Sequence, residues 1–248
     1  MSEDDDDGTE RAAEQWEIEF WKGVFECPYT IRLEKIGDEL VKVRQYANER
    51  VINDKFSQAI INLTSSAYAA GVCPLIRVEQ TLNIARELDN EYGYALAVRA
   101  YIEVGGRVHK GTRLLEVFER DTTKVEELHN GATRLLGRYT PAGEESRGIF
   151  MGKGFNVMSF VQAFRDKLPE VEEVYDDLSA YVHGDYGEQL FARKLSRLFH
   201  ARGEQSPVIE KYSNYLGKVR NIIFTDFDLL LEMTRVLRER QDKTHSRE

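Results

Sequence analysis

A helix carrying Tyr175, Ser179 and His183 would set three hydrogen-bonding side chains in a row, at i, i+4 and i+8. The surrounding sequence, YDDLSAYVHG from Tyr175 to Gly184, lays Val171, Val174, Leu178 and Val182 beside that row as an apolar stripe. His183 falls in the last turn, and Gly184 suits a C-terminal cap. The carbonyls of a helix C-terminus favour a protonated imidazole, so the chemistry this row offers is proton transfer or a change of charge.

A second pair of candidates lies in YGYALAVRAYIEVGG, residues 92–106, which is apolar or small apart from Arg99 and Glu103. Those two charges are one helical turn apart and can pair. An ion pair among apolar residues is a poor source of stability, because desolvation offsets the Coulombic gain. It therefore either holds a neighbouring helix in register or serves a ligand.

Cations make up the third group. Arg193, Arg197 and His200 share one helix face, and no acid occurs from Phe191 to Arg202. Such a face suits phosphate or RNA, or simply water. Lys153 sits in Gly148-Ile-Phe-Met-Gly-Lys-Gly154, which has neither the glycine spacing nor the hydroxyl of a P-loop. Lys153 can still reach over a pocket. His183, Asp185 and Glu188 match no strong metal-ligand spacing, so neither metal nor cofactor is expected.

The elements that must position these groups are helical throughout, with no sustained period-2 alternation. Trp16, Phe20, Trp21 and Phe25 mark a first helix ending near Pro28, and a second follows from Tyr29 to Val51. Asn53 or Asp54 caps a third, with Phe56, Ile60, Leu63 and Ala67 as its core face and Gly71 as its end. Pro74 to Arg120 reads as helix with a break near Asp89–Gly93, and residues 92–106 as a central helix buried on every side. Thr123 and Glu126 suggest a capping box. Tyr139–Gly154 reads as a long irregular connection, followed by helices at Asn156–Leu168, Pro169–His183 and Glu188–Arg202. Ser206-Pro207 opens the last, running to Arg240. The expected fold is all-α: an antiparallel helical bundle over residues 11–240, between a disordered acidic start at 1–10 and a disordered tail at 241–248.

Composition narrows the partners. A net charge of −9 over 248 residues weighs against general nucleic-acid binding. Two cysteines are too few for a disulfide framework and point to a reducing cytoplasm. No apolar run of membrane-spanning length is expected, and the acidic start is unlike a secretory signal.

The segments AVRAYIE (Ala97 to Glu103) and YDDLSAYVHG together resemble a broad group of bacterial and phage-associated helical proteins. These carry a central Arg-x-x-x-Glu and a later Tyr-x-x-Leu-Ser-x-x-x-His. That group is in turn similar to the HEPN superfamily of four-helix-bundle proteins, many of them ribonucleases of toxin–antitoxin and phage-defence systems. The resemblance covers residues 55–235. It implies that Arg99, Glu103, Tyr175, Ser179 and His183 form one polar cluster. For a ribonuclease it implies His183 as acid/base, with Arg99 or Arg193 stabilising the phosphorane. The Arg-x-x-x-x-His of HEPN ribonucleases is not met at His183, where Leu178 takes the arginine position, and occurs only at Arg240–His245. The leading expectation is therefore a binding or regulatory module with a protein partner or a second copy, a component of a phage-defence or toxin–antitoxin system. The alternative is a metal-independent HEPN-like ribonuclease acting on RNA.

Overall fold

The computed structural model describes residues 7–48, 54–136, 156–183 and 206–245. It is an all-α bundle, with no strand among the described residues. The helices are α1 Asp7–Phe25, α2 Pro28–Asn48, α3 Lys55–Ala67, α4 Cys73–Glu87, α5 Glu91–Arg120, α6 Val125–Leu136, α7 Val157–Val161, α8 Val171–His183 and α9 Pro207–His245. The last continues past Arg240, and α1 begins inside the acidic stretch.

Asp54 caps α3 as expected, accepting from the backbone N–H of Ser57 at 2.8 Å. Phe56, Ile60, Leu63 and Ala67 are all buried. Gly71 does not end the helix. The chain passes through a π-helical turn, Tyr68–Val72, straight into α4. Pro74 is tolerated because it falls in the first turn of α4. Gly71 is needed for contact rather than for a stop: a Cβ there would lie 2.7 Å from Val108 Cγ2.

The joined helix Lys55–Glu87 is 33 residues long and apolar enough to meet the length and hydropathy of a membrane span, longer than the sequence suggested. Half of its apolar window is buried inside the bundle, against α2, α5 and α6. It is a core helix by its packing.

The break before α5 falls where expected. Leu88, Asp89 and Asn90 turn the chain, with Asp89 in the left-handed region at φ 48°. Asn90 then caps α5 by accepting from Gly93 N–H at 3.0 Å. α5 is the central element, packed by α3, α4, α6, α7, α8 and α9. It is not buried all round, however. Tyr92 and Leu96 are 43% and 44% exposed. The all-round apolar pattern arises because one face of the N-terminal half is left uncovered.

Two other boundaries differ from expectation. Asp121, not Thr123, caps the turn before α6, accepting from Thr123 N–H and Oγ1 at 3.1 and 2.6 Å. Glu126 instead pairs with Lys55. The expected helix from Asn156 shrinks to α7 plus a 3-10 turn, Gln162–Phe164, which fits closely on α5: a Cβ on Gly106 would lie 2.2 Å from Phe160 O.

Candidate functional site

α8 packs on α5 and buries Val171, Tyr175, Leu178 and Val182; Tyr175 takes the buried place that the period gave to Val174, which is only half-buried. That docking carries Tyr175 to Arg99. The phenol donates to Glu103 Oε1 at 2.5 Å. It accepts from Arg99 Nε and Nη2, both at 3.2 Å. Arg99 Nε also reaches Glu103 Oε1 at 3.2 Å, closing the one-turn pair within α5. The guanidinium lies 5.1 Å from the Tyr175 ring centroid, within cation–π range.

His183 completes the group from the last turn of α8. Its Nε2 is 2.9 Å from Arg99 Nη1. A guanidinium nitrogen only donates, so this contact places a lone pair on Nε2 and the ring hydrogen on Nδ1. The neighbour of the imidazole is thus a cation, with the Glu103 carboxylate one step further along the network. His183 is exposed, whereas Tyr175 is buried.

Ser179 does not join. Its hydroxyl donates to the Tyr175 carbonyl at 2.7 Å, inside its own helix. Lys153, Arg193, Arg197 and His200 lie outside the described residues, as do Asp185 and Glu188. Among the described residues no three His, Cys, Asp or Glu side chains are close enough to hold a metal ion.

Burial and bonding set the charges here. Burial works against the Arg99 charge, but Tyr175 and Glu103 outweigh it and raise the pKa above the ordinary arginine value. Burial pushes the Tyr175 phenol up, and its bond to Glu103 adds to that. Arg99 therefore stays cationic and Tyr175 stays a neutral donor. The Arg99 and Glu103 side chains keep 22% and 30% of their exposure, so the pair sits at the rim of the core rather than inside it. Among the described residues, one N–H on each terminal nitrogen of Arg99, His183 Nδ1–H and Glu103 Oε2 are left to meet a ligand. Just along the helix, Leu96 and Tyr92 add an exposed apolar strip.

Three further polar groups escaped the sequence reading. Glu79 on α4 and Arg220 on α9 form a fully enclosed pair, Nε to Oε1 2.7 Å, with Arg220 also 4.1 Å over the Tyr29 ring. Glu91 accepts from Tyr181 at 3.0 Å and from Ser206, tying α5 to α8 and α9. His109 Nδ1 is 2.9 Å from Asp226 Oδ2, while Thr112 Oγ1 donates to Asp226 Oδ1 at 2.8 Å. Orientation of an imidazole by a carboxylate is what a general base needs. Here the ring is stacked on Phe164, 5.0 Å between centroids, and only 1% exposed, so no substrate reaches Nε2. It is a core clamp. No sequence signal joins these residues, which come from different helices.

Comparison with protein-family models, curated proteins and solved structures finds no match to this chain.

Proposed function

We propose that this chain is a non-enzymatic helical binding module. Its recognition surface is the uncovered face of α5 with the end of α8, and its ligand is a protein segment carrying a carboxylate beside apolar side chains. The observation that carries this reading is the contact of exposed His183 with Arg99 at 2.9 Å, next to exposed Leu96. The leftover N–H groups suit a carboxylate. Leu96 and Tyr92 suit apolar side chains alongside it.

Chemistry is disfavoured by the same geometry. Glu103 offsets the Arg99 charge that a phosphorane would need, and the Tyr175 hydroxyl is committed to Glu103. His183 Nε2 already faces a donor. Cleavage of RNA without metal requires both a general base and a general acid, and the described cluster offers one free ring nitrogen.

The second reading, a metal-independent HEPN-like ribonuclease, is favoured by one observation, the exposure of a histidine beside an arginine. One experiment separates the two. The protein is incubated with single-stranded RNA in excess chelator, and a parallel sample is titrated with an amphipathic acidic peptide while the His183 and Arg99 side-chain NMR signals are followed. Shifts of both signals with intact RNA support the binding module. Cleavage that is lost in His183→Ala supports the nuclease instead. The phage-defence role implied by the resemblance is tested separately, by plaque formation on cells with and without the protein.

A further inference from the structure

We propose that the outward face of α1 is a docking surface for a basic amphipathic helix of a partner protein. This surface is distinct from the Arg99–His183 site and does not depend on the reading given to it.

α1 is lightly attached. Among its residues with described side chains, Val24 alone is buried. The helix rests chiefly on α4, where Asn83 Nδ2 donates to the Val24 carbonyl at 3.4 Å. An amphipathic helix in a bundle normally turns its largest apolar side chains inward. α1 does the reverse: Ile18, Trp21 and Phe25 are 60%, 41% and 49% exposed. Their i, i+3, i+7 spacing puts them on one face. The indole and the Phe25 ring are stacked with centroids 5.6 Å apart, and Phe20 meets Trp21 edge-on at 5.2 Å. Preformed aromatic platforms of this kind are the anchors around which protein interfaces concentrate their binding energy. Clustered apolar exposure on one helix face marks a contact surface.

Charge selects the occupant. α1 carries Asp7, Glu10, Glu14, Glu17 and Glu19 against Arg11 and Lys22. Among the described side chains of this stretch Glu17, Glu19 and, just beyond the helix, Glu26 are exposed against a single exposed cation, Lys22. A second α1 laid against the first would oppose acid to acid. An anionic bilayer would be repelled as well, since interfacial helices rely on a Lys/Arg-rich polar face. A helix with aliphatic residues on one side and Lys or Arg at its borders satisfies both the apolar and the acidic parts.

Trp21, part of the stacked pair, lies on this face, so tryptophan fluorescence responds to its occupation. The full chain is titrated with a synthetic amphipathic helix bearing Leu on one face and Lys/Arg at its borders. A control helix has Glu in place of every cation. The expected result is a saturable blue shift with the basic helix only, weakened by about tenfold or more in the Ile18→Ser/Phe25→Ser variant, whose charges are intact. Far-ultraviolet circular dichroism confirms that the variant is folded. Equal binding by wild type and variant would reduce the effect to non-specific attraction by an acidic protein and overturn the proposal. So would a larger shift with phosphatidylcholine vesicles than with the basic helix, which would make α1 a lipid contact. Concentration-dependent self-association in sedimentation, abolished by the same double substitution, would assign the face to a second copy and overturn it too.

Discussion

Arg99 on α5 and His183 at the end of α8 are 84 residues apart in sequence, and their Nη1 and Nε2 atoms meet at 2.9 Å. The contact exists because Tyr175, two turns before His183, is pinned to both Arg99 and Glu103. The tyrosine sets the depth and rotation of α8, and the histidine is delivered to the guanidinium at the rim. This arrangement makes the cluster a joint between two helices as well as a surface for a ligand.

Removing Arg99 should therefore cost only a modest amount. Enclosed in a fully apolar helix, the pair would lose about 3 kcal/mol or more on Arg99→Ala, because Glu103 would be left charged and dry. With 30% of the Glu103 side chain exposed and its Tyr175 bond retained, the expected loss is about 1–2 kcal/mol. Urea denaturation of the variant measures it, and a loss above about 3 kcal/mol would show that the rim location does not relieve Glu103.

The costly ion pair is Glu79–Arg220, with side chains 0% and 7% exposed. Glu79→Ala should destabilise by about 3–5 kcal/mol, since it leaves a guanidinium without its anion between α4 and α9. Glu79→Leu combined with Arg220→Met should recover most of that loss. A double variant no more stable than the single one would show that the pair is worth more than an apolar replacement.

Adjacent glycines of α5 should respond differently to the same substitution. At Gly105 a new Cβ would meet Ile223 Cδ1 at 2.0 Å, the movable end of a side chain. At Gly106 it would meet the Phe160 carbonyl oxygen at 2.2 Å, which moves only with the backbone of α7. Gly106→Ala is expected to cost about 3 kcal/mol and Gly105→Ala about half as much. Thermal melts of the two variants, compared with wild type, test the order, and equal losses would contradict it.

Alkaline stability follows from the tyrosines. Burial raises the pKa of Tyr101, Tyr175, Tyr181, Tyr212 and Tyr215 above the ordinary 10.0, with Glu79, Glu103 and Glu91 adding to the effect at the first three. The folded state then holds protons that the unfolded chain releases. Its contribution is full below pH 10.0 and is lost as pH rises through the folded-state values. Denaturation midpoints should fall steadily above about pH 10, with phenolate absorbance and loss of helical signal appearing together. Phenolate formation at these residues in a fully helical protein would refute the burial argument.

Much of this bundle follows from local sequence. The Asp54 cap, the core face Phe56–Ile60–Leu63–Ala67, the break before Gly93, the Ser206-Pro207 start and the α8 stripe are all short-range effects of capping, backbone preference and helical period. The Arg99–Glu103 pair is local for the same reason, as its members are one turn apart. The remaining features depend on which helix lies against which. Period alone showed α5 apolar on all sides, and only the packing decided that Tyr92 and Leu96 would be left uncovered. Likewise Ser179, in line with Tyr175 and His183 in sequence, turns back to its own helix and stays out of the cluster. Glu79 with Arg220, His109 with Asp226, and Glu91 with Ser206 are joined across 141, 117 and 115 residues. Such pairings are set by the docking of whole helices, and a side chain's own neighbours in sequence carry no record of it.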